Sequence, residues 1–488
     1  MRHTARVASD VPRRPRLAEY GAVGAILLVV VSWLVVVVGR AREHYYLDQA
    51  AGVVTALVRY AQDGTLFPPI VADGRYGGTR YMPLQILASA GVDKVVGDVL
   101  IAGKVVGVVS TVVLLALVFR NAIQLGCGRL LAGALAASLL ASNPIYWASL
   151  DLRADALASA LGLAAVTVVW PTATGRRVVI AAALAVLAVF TKFTALWAIP
   201  AIAWWLWGHD RSLLVRFVAW TAGIGAGLTV AFSLLSGGRM LEQLRTLGGA
   251  PFDGLRTWAR LIWEAVSAAG WIAGVLVAVA IVAAVVRLVQ RRETPFDVGA
   301  VVAGLIAAVV FIDWGAWYNH LLDLEVLGAL SIATIFGRST RLREPAVAAR
   351  VALAISVAAV VIAIPQLRRA GGTVLGREKP SYVVAPLDNE LAGKHVLSED
   401  PYAPVSDGQL PVVLDPYMFV VAARDNPELA QQLAARVDAK EFDAVLLSRS
   451  DLTSSWYDHY FGPLVMAAIA RSYQQTGMAG DQYVFTPR

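Results

Sequence analysis

Residues 43–83 read EHYYLDQAAGVVTALVRYAQDGTLFPPIVADGRYGGTRYMP, the longest polar insertion in the first 235 residues of a chain otherwise made of apolar runs. It follows directly on the first apolar segment and sets two carboxylates, Glu43 and Asp48, within a few residues of that segment's end. A basic and aromatic cluster, Arg75, Tyr76, Arg80 and Tyr81, lies at its far end. Between them Val53, Val54, Leu57, Val58 and Ala61 recur at helical spacing, opposed by Gln49, Arg59 and Asp63. That pattern predicts an amphipathic helix along the outer membrane interface. The stretch reads as an active-site loop at a membrane surface.

The flanking chain sets the fold class. Of 488 residues, 58% are hydrophobic and 16% charged, and the mean hydropathy is +0.62, more than a soluble domain of this size tolerates. The expected fold is mainly α, a polytopic membrane helix bundle. Apolar runs long enough to cross, or nearly cross, about 30 Å of hydrocarbon fall near residues 20–39, 98–119, 130–147, 153–171, 177–191, 193–208, 213–235, 271–288, 297–313, 319–336 and 347–365. Residues 177–208 can also be drawn as one long tilted helix broken near Lys192. The first run is preceded by charges, as a signal peptide would be, but Arg40 and Arg42 follow it where a small-residue cleavage site belongs, so it stays as a helix.

Lysine and arginine in short connections favour the cytoplasmic side. With the N-terminus inside, the inner connections carry Arg120 and Arg129; Arg176 and Arg177; Arg211 and Arg216; Arg287, Arg291 and Arg292; and Arg338, Arg341 and Arg343. The formal net charge of +7 is largely this excess plus the tail MRHTARVASDVPRRPR, so topology accounts for it and nucleic acid is not an expected partner. Glu43, Asp48, Arg80, Asp151, Arg153, Asp155, Lys192, Asp313, Asn319 and His320 then share the outer face. One cysteine, Cys127, and six histidines exclude a disulfide framework and argue against a multi-histidine metal site.

Composition changes after about residue 370. A membrane domain, 1–369, with its first outer loop at 40–97, is expected to give way to a soluble extracytoplasmic α/β domain, 370–488. HVLSED, PVVLD, FDAVLLS and QYVFTP read as strands, and PELAQQLAARVDAK and SWYDHYFGPLVMAAIARSY as helices. No internal repeat, phosphate-binding loop or dinucleotide fingerprint is present.

Each candidate residue has a bland reading beside the chemical one. Asp48 either polarises a nucleophile or caps the helix that follows it, which is worth roughly 0.5–2 kcal/mol; Glu43 is either its partner or a solvated charge beside Arg42. In SLDLRADALASALGLAA, Asp151 and Asp155 lie four apart at the outer start of an apolar helix with Arg153 between them. Either they complement the helix dipole while Arg153 snorkels, or the group pairs in a site. Helices running inward present unpaired N–H groups to the outer face, a setting for anions. Arg153, Lys192 and Arg80 stand at or before three such starts, so a lipid-linked phosphate fits among them. DWGAWYNHLLDLE adds Asp313, Asn319 and His320 on the same face, and places Asp323 and Glu325 inside the next helix, where they are expected to pair within the bundle.

Taken together, LDQAA in the first loop, GTRYMPLQ with its Y-x-P-L pattern, LRADALASALGLAA and TKFTALWAIP resemble the GT-C superfamily of integral-membrane glycosyltransferases, particularly the branch of protein mannosyltransferases and the lipid A aminoarabinose transferase. The N-in, eleven-helix count is similar to that branch. The resemblance implies transfer of a sugar, hexose or pentose, from a polyprenyl-phosphate donor to a cell-envelope glycan, lipid or protein outside the cytoplasmic membrane. In the family an acidic residue of the first outer loop serves the reaction, often in an Asp–Glu pair; here Asp48 is followed by Gln49, so Asp48 is implied as the base and Glu43 as its alternative. Arg153 and Lys192 are implied as donor-phosphate contacts, with Arg80, Tyr81, Asp151, Asp155, Asn319 and His320 completing the substrate site. Inverting transfer needs one base, and a polyprenyl phosphate leaves as a stable anion that needs cations rather than an acid partner, unlike the two-carboxylate logic of glycosidases. No ligand cluster demands a metal or other cofactor, though Glu43 and Asp48 could share a divalent ion with the donor phosphate. Two other classes stay open on sequence: a transporter or flippase for lipid-linked sugars, for which no matching halves are seen, and a non-catalytic membrane scaffold.

Overall fold

The computed structural model describes residues 17–41, 49–248, 254–313, 315–374, 391–448, 460–479 and 482–488. The chain opens with α1 (Leu17–Ala41). The long connection after it is folded: α2 (Gln49–Gln62), a hairpin of β1 (Val71–Ala72) and β2 (Arg75–Tyr76), then α3 (Pro83–Val96). Asp73 and Gly74 join the two strands, both at positive φ, the conformation a two-residue hairpin needs to match strand twist. Pro83 starts α3, where its missing N–H costs nothing.

The bundle continues through α4 (Val99–Gln124), N-capped by Asp98, then α5 (Arg129–Ser138), α6 (Asn143–Ala148), α7 (Asp155–Val169) and α8 (Gly175–Thr191). Lys192 is extended and breaks the chain there; a 3₁₀ turn over Phe193–Trp197 leads into α9 (Ala198–His209). Residues 177–208 are therefore two helices, not one tilted helix. Next come α10 (Arg211–Leu235), α11 (Arg239–Leu247), α12 (Leu255–Ala269), α13 (Trp271–Val289), α14 (Pro295–Val310), a 3₁₀ turn at Tyr318–Leu321 leading into α15 (Leu322–Arg338), and α16 (Pro345–Val374). Every one of the eleven expected apolar segments is helical. Among the described residues, six helical segments are long and apolar enough to cross a membrane, and three further apolar helical segments are shorter. This is a multi-pass membrane protein. Arg287, expected in an inner connection, is the last turn of α13 and pairs with buried Asp297 of α14 through Nε at 2.8 Å and Nη2 at 2.5 Å.

The C-terminal residues build a small sheet of β3 (Val396–Ser398), β4 (Ala444–Ser448), β5 (Tyr473–Ala479) and β6 (Gln482–Pro487), in the order β3-β4-β6-β5. β3 and β4 are parallel and the other pairs antiparallel. Helices α17 (Tyr402–Ser406), α18 (Pro416–Asp425), α19 (Glu428–Asp438) and α20 (Gly462–Ser472) cover it. PVVLD is no strand of this sheet. Its Val413 bridges Tyr76 of the first loop instead, with the Tyr76 amide donating to the Val412 carbonyl at 2.7 Å and the Leu414 amide to the Tyr76 carbonyl at 2.8 Å.

The expected amphipathic helix is α2. Residues 51–58 are all buried, because α3 and α4 cover one side and α17 the other. The apolar face is thus covered by protein on both sides, while Arg59 and Asp63 of the polar face stay exposed. Gly52 sits so close to the Asp400 carboxylate and the Tyr402 amide that a side chain there would collide.

Candidate active site

The segment 149–155 is held from three directions. Gly103 and Gly107 of α4 leave the surface flat enough for residues 148–152 to approach: a Cβ on Gly103 would strike the Leu152 side chain, and one on Gly107 would lie 3.0 Å from the carbonyls of Ala148 and Asp151. GKVVG at 103–107 is the small-xxx-small spacing of close helix contacts, and it is the signal from which this contact was legible. Gln85 of α3 donates to the Leu152 carbonyl at 3.0 Å, and Trp33 of α1 donates to Ser149 Oγ at 3.0 Å.

On this support Asp151 accepts from the Leu152 amide at 2.7 Å and lies 3.2 Å from Arg153 Nε. Asp155 begins α7 almost fully buried and accepts from Lys192 Nζ and, at 3.0 Å, from Asn319 Nδ2. Lys192 is presented by the break between α8 and the 3₁₀ turn; Asn319 and His320 are presented by the turn before α15. One turn along α7, Ser159 donates to Asp323 at 2.5 Å, and Ser142 donates to buried Glu325 at 2.7 Å. The partners of Asp323 and Glu325 are thus hydroxyls within the bundle. Lys192, Arg153 and Arg80 all lie within electrostatic reach of His320, whose Nδ1 has no hydrogen-bond partner among the described residues. A small cavity lined by Thr194, Ala303, Ile306, Ala307, His320 and Asp323 opens beside this group.

Arg80 pairs with Asp313, in the loop after α14. Asp313 also accepts from the Gly315 amide at 2.7 Å and from the Tyr417 hydroxyl of α18 at 2.5 Å. Burial works to raise the Asp313 carboxyl, but Arg80 and these donors hold it below the usual carboxylate value. Burial and the Asp313 charge push the Tyr417 phenol up, so it stays a donor at neutral pH. Tyr81 packs beside Arg80 against the hydrophobic cluster of α2 and the C-terminal sheet. Asp48 and Glu43 lie outside the described residues. Among the described residues no group of three or more His, Cys, Asp or Glu side chains is placed to hold a metal ion.

Of the sequence-predicted residues, Asp155, Lys192 and Asn319 meet directly, Asp151 and Arg153 pair beside them, and Arg80 joins Asp313. Tyr417 had no sequence signal; only the tertiary docking of α18 brings it there.

The arrangement places three cations, each with its own carboxylate, at one end of a helical bundle, chemistry suited to an anionic group. Solved structures share this fold. ArnT from Cupriavidus metallidurans bound to undecaprenyl phosphate matches 94% of this chain and 97% of its own at 14% identity, with a TM-score of 0.56; its apo state gives 0.57 over 96% and 98%, also at 14% identity. The oligosaccharyltransferase of Archaeoglobus fulgidus matches 95% of this chain and 74% of its own at 10% identity, with a TM-score of 0.55. The chain shares the fold of these solved structures. No protein-family model matches the sequence, and no curated protein matches it.

Proposed function

We propose that this protein is a membrane glycosyltransferase that moves a sugar from a polyprenyl-phosphate-linked donor to a cell-envelope acceptor on the outer side of the cytoplasmic membrane, with inversion. The observation that carries this reading is that Arg80, Arg153 and Lys192, at the polar ends of the helices of a GT-C bundle, are each held beside a carboxylate. A glycosyl phosphate breaks its C1–O bond with the electron pair passing to phosphate oxygen, and cations already fixed in place stabilise that charge without reorganising. Each of the three is fixed by a carboxylate: Asp313, Asp151 and Asp155 respectively.

In this reading Asp48 takes the proton from the acceptor hydroxyl as its oxygen attacks C1 from the face opposite the phosphate. Asn319 and His320 bind the sugar hydroxyls or the phosphate beside Lys192. The hairpin and α18 form the outer wall, and the C-terminal domain, 370–488, contributes to acceptor binding. The topology argued from arginine distribution puts this end of the bundle outside.

The test is transfer of radiolabelled sugar from a panel of polyprenyl-phosphate monosaccharides into an acceptor-rich membrane extract by purified protein, with Asp48→Asn alongside. Wild type is expected to transfer from one donor and the variant to lose transfer while keeping its fold and donor binding. Turnover retained by Asp48→Asn would remove Asp48 as the base; no transfer from any donor would remove the glycosyltransferase reading.

A further inference from the structure

We propose that Asp313 and Tyr417 are positioning residues: from the helical bundle and from the C-terminal region they jointly hold the Arg80 guanidinium in place for the donor phosphate, so that the C-terminal region completes the site. This rests on Arg80 as a phosphate contact. Arg80 pairs with Asp313 through Nη1, and among the described residues no other acceptor bonds its guanidinium. The rest of the planar fork is left to take a phosphate.

Tyr417 touches both members of the pair. Its hydroxyl donates to Asp313, and the Arg80 guanidinium lies 5.7 Å from its ring centroid. Gly315 closes the third side: a Cβ there would lie 3.0 Å from the Tyr417 ring and 3.1 Å from Arg80 Nη2. Tyr417 itself is rigidly mounted. It lies in the first turn of α18, behind Pro416, with the Asp415 side chain accepting from the Met418 amide at 3.1 Å and Met418 and Phe419 buried in the core. Arg80 is fixed from its own side, because Tyr76 and Val413 form the bridge between the loop and the C-terminal region, and Arg80 and Tyr417 each follow their member of it by four residues. An arginine held this way loses less freedom when its ligand arrives than one on a free loop.

The experiment measures binding of undecaprenyl phosphate to the purified full-length chain in detergent, with undecaprenol as the phosphate-free control. Wild type is expected to prefer the phosphate lipid. Tyr417→Phe should weaken that binding about tenfold, which is about 1.4 kcal/mol, yet by less than about twofold in an Arg80→Gln background. In transfer it should raise the donor KM and leave kcat within about twofold. Gly315→Ala, which crowds the same two side chains from the bundle, should reproduce the loss, and Arg471→Gln, which breaks a surface ion pair with Asp438, should not. Equal weakening with and without Arg80 would mark Tyr417 as general packing and overturn the proposal while leaving the phosphate reading intact, as would unchanged binding in Tyr417→Phe. A wild type that binds both lipids alike would remove the phosphate role of Arg80 and the proposal with it.

Discussion

Lys192 carries two separable roles, and its replacement by methionine pulls them apart. Its ammonium is paired with Asp155, whose side chain is 4% exposed against 19% for Lys192. Removing one partner of a buried pair typically costs about 3–5 kcal/mol, because the remaining charge stays desolvated. Here a fifth of the lysine side chain is open to its surroundings and Asn319 still donates to Asp155 at 3.0 Å, so the lower end applies, about 3 kcal/mol. Adding Asp155→Asn removes the stranded charge, and the new amide still accepts from Asn319; most of the loss should return in the double variant, a coupling of about 1.5–2.5 kcal/mol. Denaturant unfolding of both singles and the double in one detergent reads this directly. Undecaprenyl phosphate binding, measured in parallel, should stay weak in the double variant although its stability has recovered. A Lys192→Met protein as stable as wild type would refute the reasoning, since the pair would then not be desolvated; so would a double variant no more stable than the single.

Two further outcomes follow from the docking of the C-terminal region. Gly52→Ala should cost about 1–3 kcal/mol by overpacking, because the added methyl meets the Asp400 carboxylate and the Tyr402 amide, and limited proteolysis should detect earlier cleavage between α17 and α18. The Asp313 clasp should open on acidification. Its carboxyl is held below the ordinary value, so its contribution is fully present above the unfolded-state value of about 3.9 and is lost as pH falls through the lower folded value. Protease sensitivity of the C-terminal region should therefore rise only below about pH 4, and opening that begins near pH 6 would contradict the Arg80–Asp313–Tyr417 arrangement.

The bundle was legible in the sequence because a bilayer forces each crossing to satisfy its own backbone and bury few charges, so hydropathy along the chain reports the helices one by one. The polar ends of those helices were legible for the same reason: Asp155 and Lys192 stand out against apolar neighbours. What did not show was anything set by distant pairing. Residues 411–415 have the composition of a strand, yet they form a bridge to Tyr76, and nothing near Val413 encodes that partner. The periodicity of α2 was real, with Val53, Val54, Leu57 and Val58 buried and Arg59 and Asp63 exposed, but part of what covers it, α17, comes from far along the chain. α11 and α12 carry no membrane-crossing signal, because each has only one apolar face and lies in a long connection. Tyr417 was beyond reach for the same cause as the bridge.

The contact between hairpin and C-terminal region has a consequence for biosynthesis. Arg436 donates to the carbonyl of Gly74 across 362 residues of chain and packs over Tyr76 and Phe442. At about 5–20 residues per second of translation, the hairpin waits roughly 20–70 s between its own emergence and that of the surface it docks on. A nascent chain would thus carry its hairpin undocked while the rest of the bundle is made, and a truncation removing α18 and α19 would leave a membrane-inserted protein with that wall missing.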